Sequence, residues 1–395
     1  MPDSPLPAGA FDDLRRTLAA DGPAAAADQL VETLRRAGNL DALFYALLLR
    51  ARLRLGADPV PTRPAAELPE ALHTPYEEAI RDAARTVGRL YLEAGDIPHA
   101  WNYFRLIGEP GPVRDALDAV VLEEDDDFYP LVEIALHHGV NPRKGFDLVL
   151  ARQGICNAIT LFGGFEAALA ADVRAYFARR LVESLHDQLR ERLRYELLQH
   201  GEAEPPAGAT VAEMTAGRDW LFADDAYLID VSHLGAVVQA ATQLPPGDAG
   251  LRQAIELADY GARLAPNMKF PGDPPFEDLY ADHAAYLRVL VGEDVQAGLE
   301  RFRAKAEAAD PEEVGPRPAE VYVNLLLHAG RQAEAAAAAR KLLANVDERG
   351  LGCPGPLELA RRQGDYAAFA EVARGRGDAV HFLAGLLATR PAHPE

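Results

Sequence analysis

The chain is poor in the residues that mark several common kinds of site. Only two cysteines occur in 395 residues, Cys156 and Cys353, and no CxxC pair is present, so neither a thiolate zinc site nor a disulfide framework has support. Cys156 lies in the apolar run GICNAITLF and reads as a small core residue. Positive charge is in deficit. The balance of 40 Lys+Arg against 61 Asp+Glu gives −21 at pH 7, a surface that repels nucleic-acid phosphates and anionic headgroups. No stretch approaches the roughly 20 uninterrupted apolar residues of a membrane span. The N-terminus lacks the basic start and apolar core of a signal peptide, and a cytoplasmic protein is the expectation. No GxxxxGK[ST], GxSxG or HExxH occurs, so phosphate-loop, hydrolase-elbow and metalloprotease readings have no support. No cofactor, nucleic acid or membrane partner is expected. Alternating strand patterns are missing too.

What is present points to helix. Aromatics are 7% of the chain, and much of the apolar share is alanine, with Leu and Arg abundant beside it. These side chains lose little rotamer freedom in a helix. An all-α fold is therefore predicted. Helical segments fill residues 1–56, with the first ten Pro-rich and frayed, a break at Gly38-Asn39, Asp41 as a cap and Gly56 as the stop. Five prolines make 57–75 an extended connector. Residues 76–201 form a helical, repeat-like region, 202–210 a loop, and 211–395 C-terminal helical repeats with a terminal cap. Within the middle region, Leu181, Leu185, Leu189 and Leu193 recur every four residues and line one buried helix face. Gly163-Gly164 reads as a helix break, and His137-His138 as a helix end before Gly139.

The stretch TVGRLYLEAGDIPHAWNYFRLIGEPGPV carries the clearest local pattern. Gly88 and Ala100 are small where two helices cross, Tyr91 and Phe104 fill the space beside them, Gly95 ends the first helix and Pro112 the second. These positions resemble the tetratricopeptide repeat (TPR), with Ala84 in place of the first-helix tryptophan. The likeness recurs at Gly292 with Ala297, Arg301 and Ala304, at Gly330 with Ala335, Ala339 and Leu342, and at Gly364 with Phe369 in a small position. The three turn glycines lie 38 and 34 residues apart, near the period of such repeats. The resemblance implies a TPR-like α-α superhelix, a right-handed solenoid of stacked antiparallel helix pairs. It further implies a non-catalytic scaffold or adaptor that binds a protein or peptide in its concave groove. The net acidity would favour a basic or amphipathic partner.

Two clusters bring Tyr, Asp and His together: Tyr227, Asp230 and His233, then Tyr280, Asp282 and His283. Three-residue spacing would place the first set along one helix face. If neighbouring helices carry the two sets, Asp230, His233, Asp282 and His283 could converge on a divalent metal or serve as acid and base. That is the alternative reading, a helical enzyme or small-ligand protein. On the plainer reading Asp230 and Asp282 cap helix starts and the histidines fill groove walls. Three other features weigh the same way. The acidic run Glu123, Glu124, Asp125, Asp126 and Asp127 lacks calcium-loop spacing and reads as solvated. Arg143, Lys144, Arg152, Gln153 and Asn157 read as either a polar pocket or a solvated face. Most of Trp101, Tyr103, Trp220, Phe222, Tyr227, Tyr260, Tyr280 and Tyr286 read as inter-helix core, a few as peptide anchors.

Overall fold

A computed structural model describes residues 9–60, 68–121, 123, 126–223 and 225–389. Among these residues the regular elements are all helical and no strand occurs. The chain forms two compact units, Met1–Arg152 and Gln153–Glu395. In each, helices pack mainly on their neighbours in sequence, the pattern of stacked helix pairs in an α-α superhelix.

The first unit holds α1 (Ala10–Ala37), α2 (Leu40–Arg54), α3 (Glu70–Glu93), α4 (Ile97–Ile107), α5 (Gly111–Ala119), α6 (Tyr129–Val132) and the start of α7 (Pro142–Phe165). Gly22 breaks α1 with a left-handed φ of 88°, and Pro23 opens its second part, where a missing N–H costs nothing. Asn39 caps α2 by accepting from the Ala42 N–H at 3.0 Å. Asp41 is thus free of the capping role expected of it. It accepts instead from the phenols of Tyr91 (2.8 Å) and Tyr103 (2.5 Å), tying α2 to α3 and α4. Since α3 begins at Glu70, the connector is shorter than expected, and its residues 61–67 lie outside the described residues, as do residues 1–8.

The α3–α4 hairpin follows the small-and-large pattern read from the sequence. A Cβ on Gly88 would stand 2.7 Å from the Phe104 ring, so only glycine permits this approach. Ala84, Val87, Ala100 and Phe104 are all fully buried there. Gly108, left-handed, ends α4, while Pro112 falls in the first turn of α5 rather than stopping the helix before it. Of the residues read as either a polar pocket or a solvated face, two act as a tether. Lys144 donates to the Val120 carbonyl at 3.1 Å and Arg152 to that of Glu123, holding the acidic loop, whose Glu124 and Asp125 lie outside the described residues. His138 caps the helical turn before Gly139 and rests 5.7 Å from the Trp101 ring.

The helical stretch Pro142–Ala168 is long and apolar enough to cross a membrane by length and composition alone. Arg143, Lys144, Asp147 and Arg152 interrupt it, so it is not the uninterrupted apolar run whose absence the sequence indicated. The helix breaks at Gly154 (φ 78°), not at Gly163-Gly164, which stay helical.

The second unit continues from the end of α7 through α8 (Ala171–Gln199), α9 (Val211–Thr215), α10 (Val231–Ala240), α11 (Gly250–Arg263), α12 (Leu279–Val291), α13 (Val295–Ala308), α14 (Pro311–Val314), α15 (Arg317–His328), α16 (Gln332–Leu342), α17 (Pro356–Gln363), α18 (Tyr366–Gly375) and α19 (Ala379–Ala388). The Leu181, Leu185, Leu189 and Leu193 row is buried, and α8 packs on α10 and α11. Truncating one of these leucines to Ala should cost about 2–5 kcal/mol. The 202–210 loop lies where expected, between α8 and α9.

Glycine sets the closest crossings in this unit as well. A Cβ on Gly261 of α11 would meet the Tyr280 ring of α12 at 2.4 Å, and one on Gly298 of α13 would meet Val289 of α12 at 2.4 Å. The α13 register is therefore one residue off the expected one. Gly298, Phe302 and Ala306 face the core, while Ala297 is exposed and Arg301 turns to an ion pair. Gly330 and Gly364 make left-handed turns as predicted. Ala335 and Ala339 are buried, with Leu343 rather than Leu342 completing the row. At the last crossing Ala370, not Phe369, is the small residue, 3.0 Å from a Cβ placed on Gly385 of α19. Cys156 is exposed, contrary to expectation, because the buried side of this part of α7 is made by Ile155, Ala158 and Phe162. Cys353 is the buried cysteine, and burial pushes its thiol up to about 12.

Candidate functional site

The first Tyr–Asp–His cluster begins a helix rather than lying along one. Asp230 is the N-cap of α10. Its Oδ1 accepts from the backbone N–H of Ser232 (2.8 Å) and His233 (3.2 Å) and from the Ser232 hydroxyl (2.5 Å). The Ser232 hydroxyl, then the His233 N–H, hold the carboxyl below its usual range. Tyr227 sits in the loop before the helix, 54% exposed, so the three side chains do not share one helix face. That loop is fixed by Leu228, whose N–H donates to the Tyr260 hydroxyl at 3.0 Å.

Beside this helix start is an open cleft of about 600 Å³. Ile155, Leu228 and Ile229 give it an apolar part. Asp230 and His233 border it from α10, and Gln188, Glu191, Arg192 and Tyr195 from α8. The spacing 188, 191, 192 and 195 is one face of a helix. Tyr195 is 55% exposed. Two carboxylates, one guanidinium and one imidazole therefore surround an apolar patch with an aromatic ring at its side.

The second cluster is spent inside the fold. Asp282 is fully buried, with Oδ1 accepting from Arg301 Nε (2.6 Å) and Oδ2 from Lys305 Nζ and the Asp278 N–H (both 2.9 Å). Asp278, not Asp282, is the N-cap of α12. Lys305 also pairs with Glu277. His283 donates from Nδ1 to the Leu279 carbonyl at 2.5 Å and stacks on Phe276 at 4.1 Å. Burial is the main cause that lowers its imidazole to about 4, so it is neutral at pH 7. Tyr280 packs against Gly261, its hydroxyl has no hydrogen-bond partner among the described residues, and burial pushes it up to about 12.

The two clusters do not make one site. Asp230 and His233 border an open cleft, whereas Asp282 and His283 are enclosed by the contacts of α12 and α13. Among the described residues no group of three or more His, Cys, Asp or Glu side chains is placed to hold a metal. The α8 face was missed in the sequence, though its signal was there. The buried leucine row defines one side of α8, and the residues between its members define the exposed side. Of the aromatic candidates, Trp101, Tyr260, Tyr280 and Tyr286 are core, while Trp220 stacks on His200 at 3.9 Å.

Comparison with known proteins adds no further constraint: no family model matches the chain, and no curated protein or solved structure matches it.

Proposed function

We propose that this chain is a TPR-like helical-repeat scaffold that binds a segment of another protein, with the cleft between α8 and the start of α10 as a docking place. One observation carries the reading. An open cleft of about 600 Å³ has an apolar patch, a half-exposed tyrosine and a rim of both charge signs. Such a surface suits an amphipathic segment, whose apolar side chains enter while its polar ones meet the rim. Tyrosine supplies a large contact area at low entropic cost, which makes Tyr195 the expected anchor. The chain's −21 charge favours a segment with basic residues. The Gly88–Phe104 crossing and the turn glycines Gly292, Gly330 and Gly364 support the TPR-like part of the reading. A cytoplasmic placement belongs to the same proposal.

The test is selection of peptides from a random displayed library on the full chain, followed by fluorescence anisotropy with the winners. Amphipathic, basic sequences should be enriched. Tyr195→Ala should weaken their binding at least about tenfold, and His233→Ala by less. No enrichment, or equal binding to both variants, would defeat the proposal.

A further inference from the structure

The tie between α2, α3 and α4 leaves a carboxylate with an unused oxygen beside a group of rings. Both phenols that hold Asp41, those of Tyr91 and Tyr103, donate to the same atom, Oδ1. Among the described residues no donor meets Oδ2, and no Arg, Lys or His pairs with Asp41. The residue is half-buried, and Oδ2 is not one of the enclosed polar atoms, so it faces solvent. Elsewhere in the chain, carboxylates drawn in from solvent are answered by a cation. Asp248 has Arg179 at 3.0 Å, and Asp282 has Arg301 and Lys305. At Asp41 that cation is missing.

The rings say what kind of cation fits. Tyr103 stacks on Tyr91 at 5.8 Å, Tyr91 on His99 at 5.2 Å, and Phe44 meets Tyr103 edge-on at 5.2 Å. Those rings are occupied with one another. Tyr45 is not. It lies one helical turn after Asp41 on the same face of α2 and is 69% exposed. Burial first, then the hydrogen bond to Asp41, pushes the Tyr103 phenol up, and the nearby Tyr45 phenol adds to this. Tyr103 therefore stays a donor, and the negative charge of the group belongs to Asp41.

We propose that Asp41 and Tyr45 take the guanidinium of an arginine side chain presented by another protein. The face of a tyrosine ring and a free carboxylate oxygen both attract positive charge. A guanidinium is planar, so it can lie over the Tyr45 ring while one edge donates to Oδ2. It is also more weakly hydrated than an ammonium and loses less on leaving water, which favours arginine over lysine. An acidic or purely apolar segment would leave the carboxylate unanswered. The chain's −21 charge draws basic segments to its surface. All these residues belong to the first unit and the α8 cleft to the second, so the assignment does not rest on the cleft.

Titration of Ac-Gly-Arg-Gly-NH2, Ac-Gly-Lys-Gly-NH2 and free L-arginine against the full chain, read by saturation-transfer NMR, tests this. The arginine peptide should bind with a millimolar Kd, at least about threefold tighter than the lysine peptide. Asp41→Asn keeps an acceptor oxygen for the phenols, and Tyr45→Leu changes an exposed position. Each should weaken the arginine peptide at least about fivefold, with an unchanged helical circular-dichroism signal. Asp12→Asn removes the same charge from α1 and should change the Kd by less than about twofold. Should Asp41→Asn fail to fold, Tyr45→Leu decides alone. No saturable binding of the arginine peptide, equal binding of the lysine peptide, or full binding by Tyr45→Leu overturns the proposal. So does an equal loss in Asp12→Asn, which would mean long-range charge only, or tighter binding of free L-arginine, which would assign the place to a small molecule.

Discussion

Two regions of this chain use the same three residue types to opposite ends. Tyr227, Asp230 and His233 stand at the start of α10, and Tyr280, Asp282 and His283 lie in the first turns of α12. In the first region Asp230 satisfies the free N–H groups of its own helix, and the side chains around it stay at the border of an open cleft. In the second, the residues sit a few positions further into a helix that neighbours cover. There Asp282 is held by Arg301 and Lys305 of α13, His283 is neutral beneath Phe276, and Tyr280 fills the space that Gly261 leaves. Composition alone does not make a site. A few residues of offset from the helix start, and what packs on that turn, decide whether a Tyr–Asp–His set is available to a partner.

The largest expected effect is on the buried side of this comparison. Asp282→Ala removes the acceptor of two cations and one backbone N–H, and should cost about 3 kcal/mol in urea unfolding. This is the low end for breaking a buried pair, because Arg301 and Lys305 both reach solvent. If the loss is no greater than for Asp230→Ala, the contrast between the clusters collapses.

Acid should expose His283 next. The folded imidazole stays neutral down to about 4, while the unfolded one takes a proton near its ordinary 6.5. Between these values the unfolded chain binds more protons. The stabilisation is therefore complete above pH 6.5 and falls as pH drops toward 4, by an amount on the order of 3 kcal/mol. Urea midpoints measured across that range should show the slope, and His283→Leu should flatten it.

Asp230→Ala, on the open side, should cost about 1 kcal/mol, the usual value of an N-cap, read from the same urea curves. The smallest effect separates two tyrosines. Tyr280→Phe removes a buried hydroxyl without a partner among the described residues and should be neutral or stabilising by up to about 1 kcal/mol, whereas Tyr260→Phe strands the Leu228 N–H and should cost about that much. A clear loss on Tyr280→Phe in thermal unfolding would sharpen the comparison by revealing a partner for that hydroxyl.

Much of the scaffold was legible because its signals are local. The Leu181–Leu193 row, the Gly88–Phe104 pairing and the left-handed turns at Gly292, Gly330 and Gly364 each follow from helix periodicity or from glycine's lack of a Cβ. The misreadings also have a common cause. Placing the small residue at Ala297 or Phe369 instead of Gly298 or Ala370 is a one-residue error. Periodicity over a short helix tolerates such an error, and only the facing helix exposes it. Asp41 and Asp282 read as caps because a carboxylate near a helix start usually is one. Their acceptors were taken up by Tyr91 and Tyr103 in one case and by Arg301 and Lys305 in the other, partners distant in sequence. The cleft was half legible. Asp230 and His233 stood out, while the α8 residues that complete it did not.

By itself the sequence determined that the chain is helical, that its helices come as hairpins turned by glycine, and that its surface is acidic. These properties belong to single residues and short spacings, so no fold is needed to express them. Tertiary structure alone decided which Tyr–Asp–His cluster meets solvent, which face of α8 borders a cleft and which phenols gather on Asp41. Each depends on the packing of segments tens of residues apart, and burial changes the cost of a charge, a ring or a hydroxyl more than its identity does.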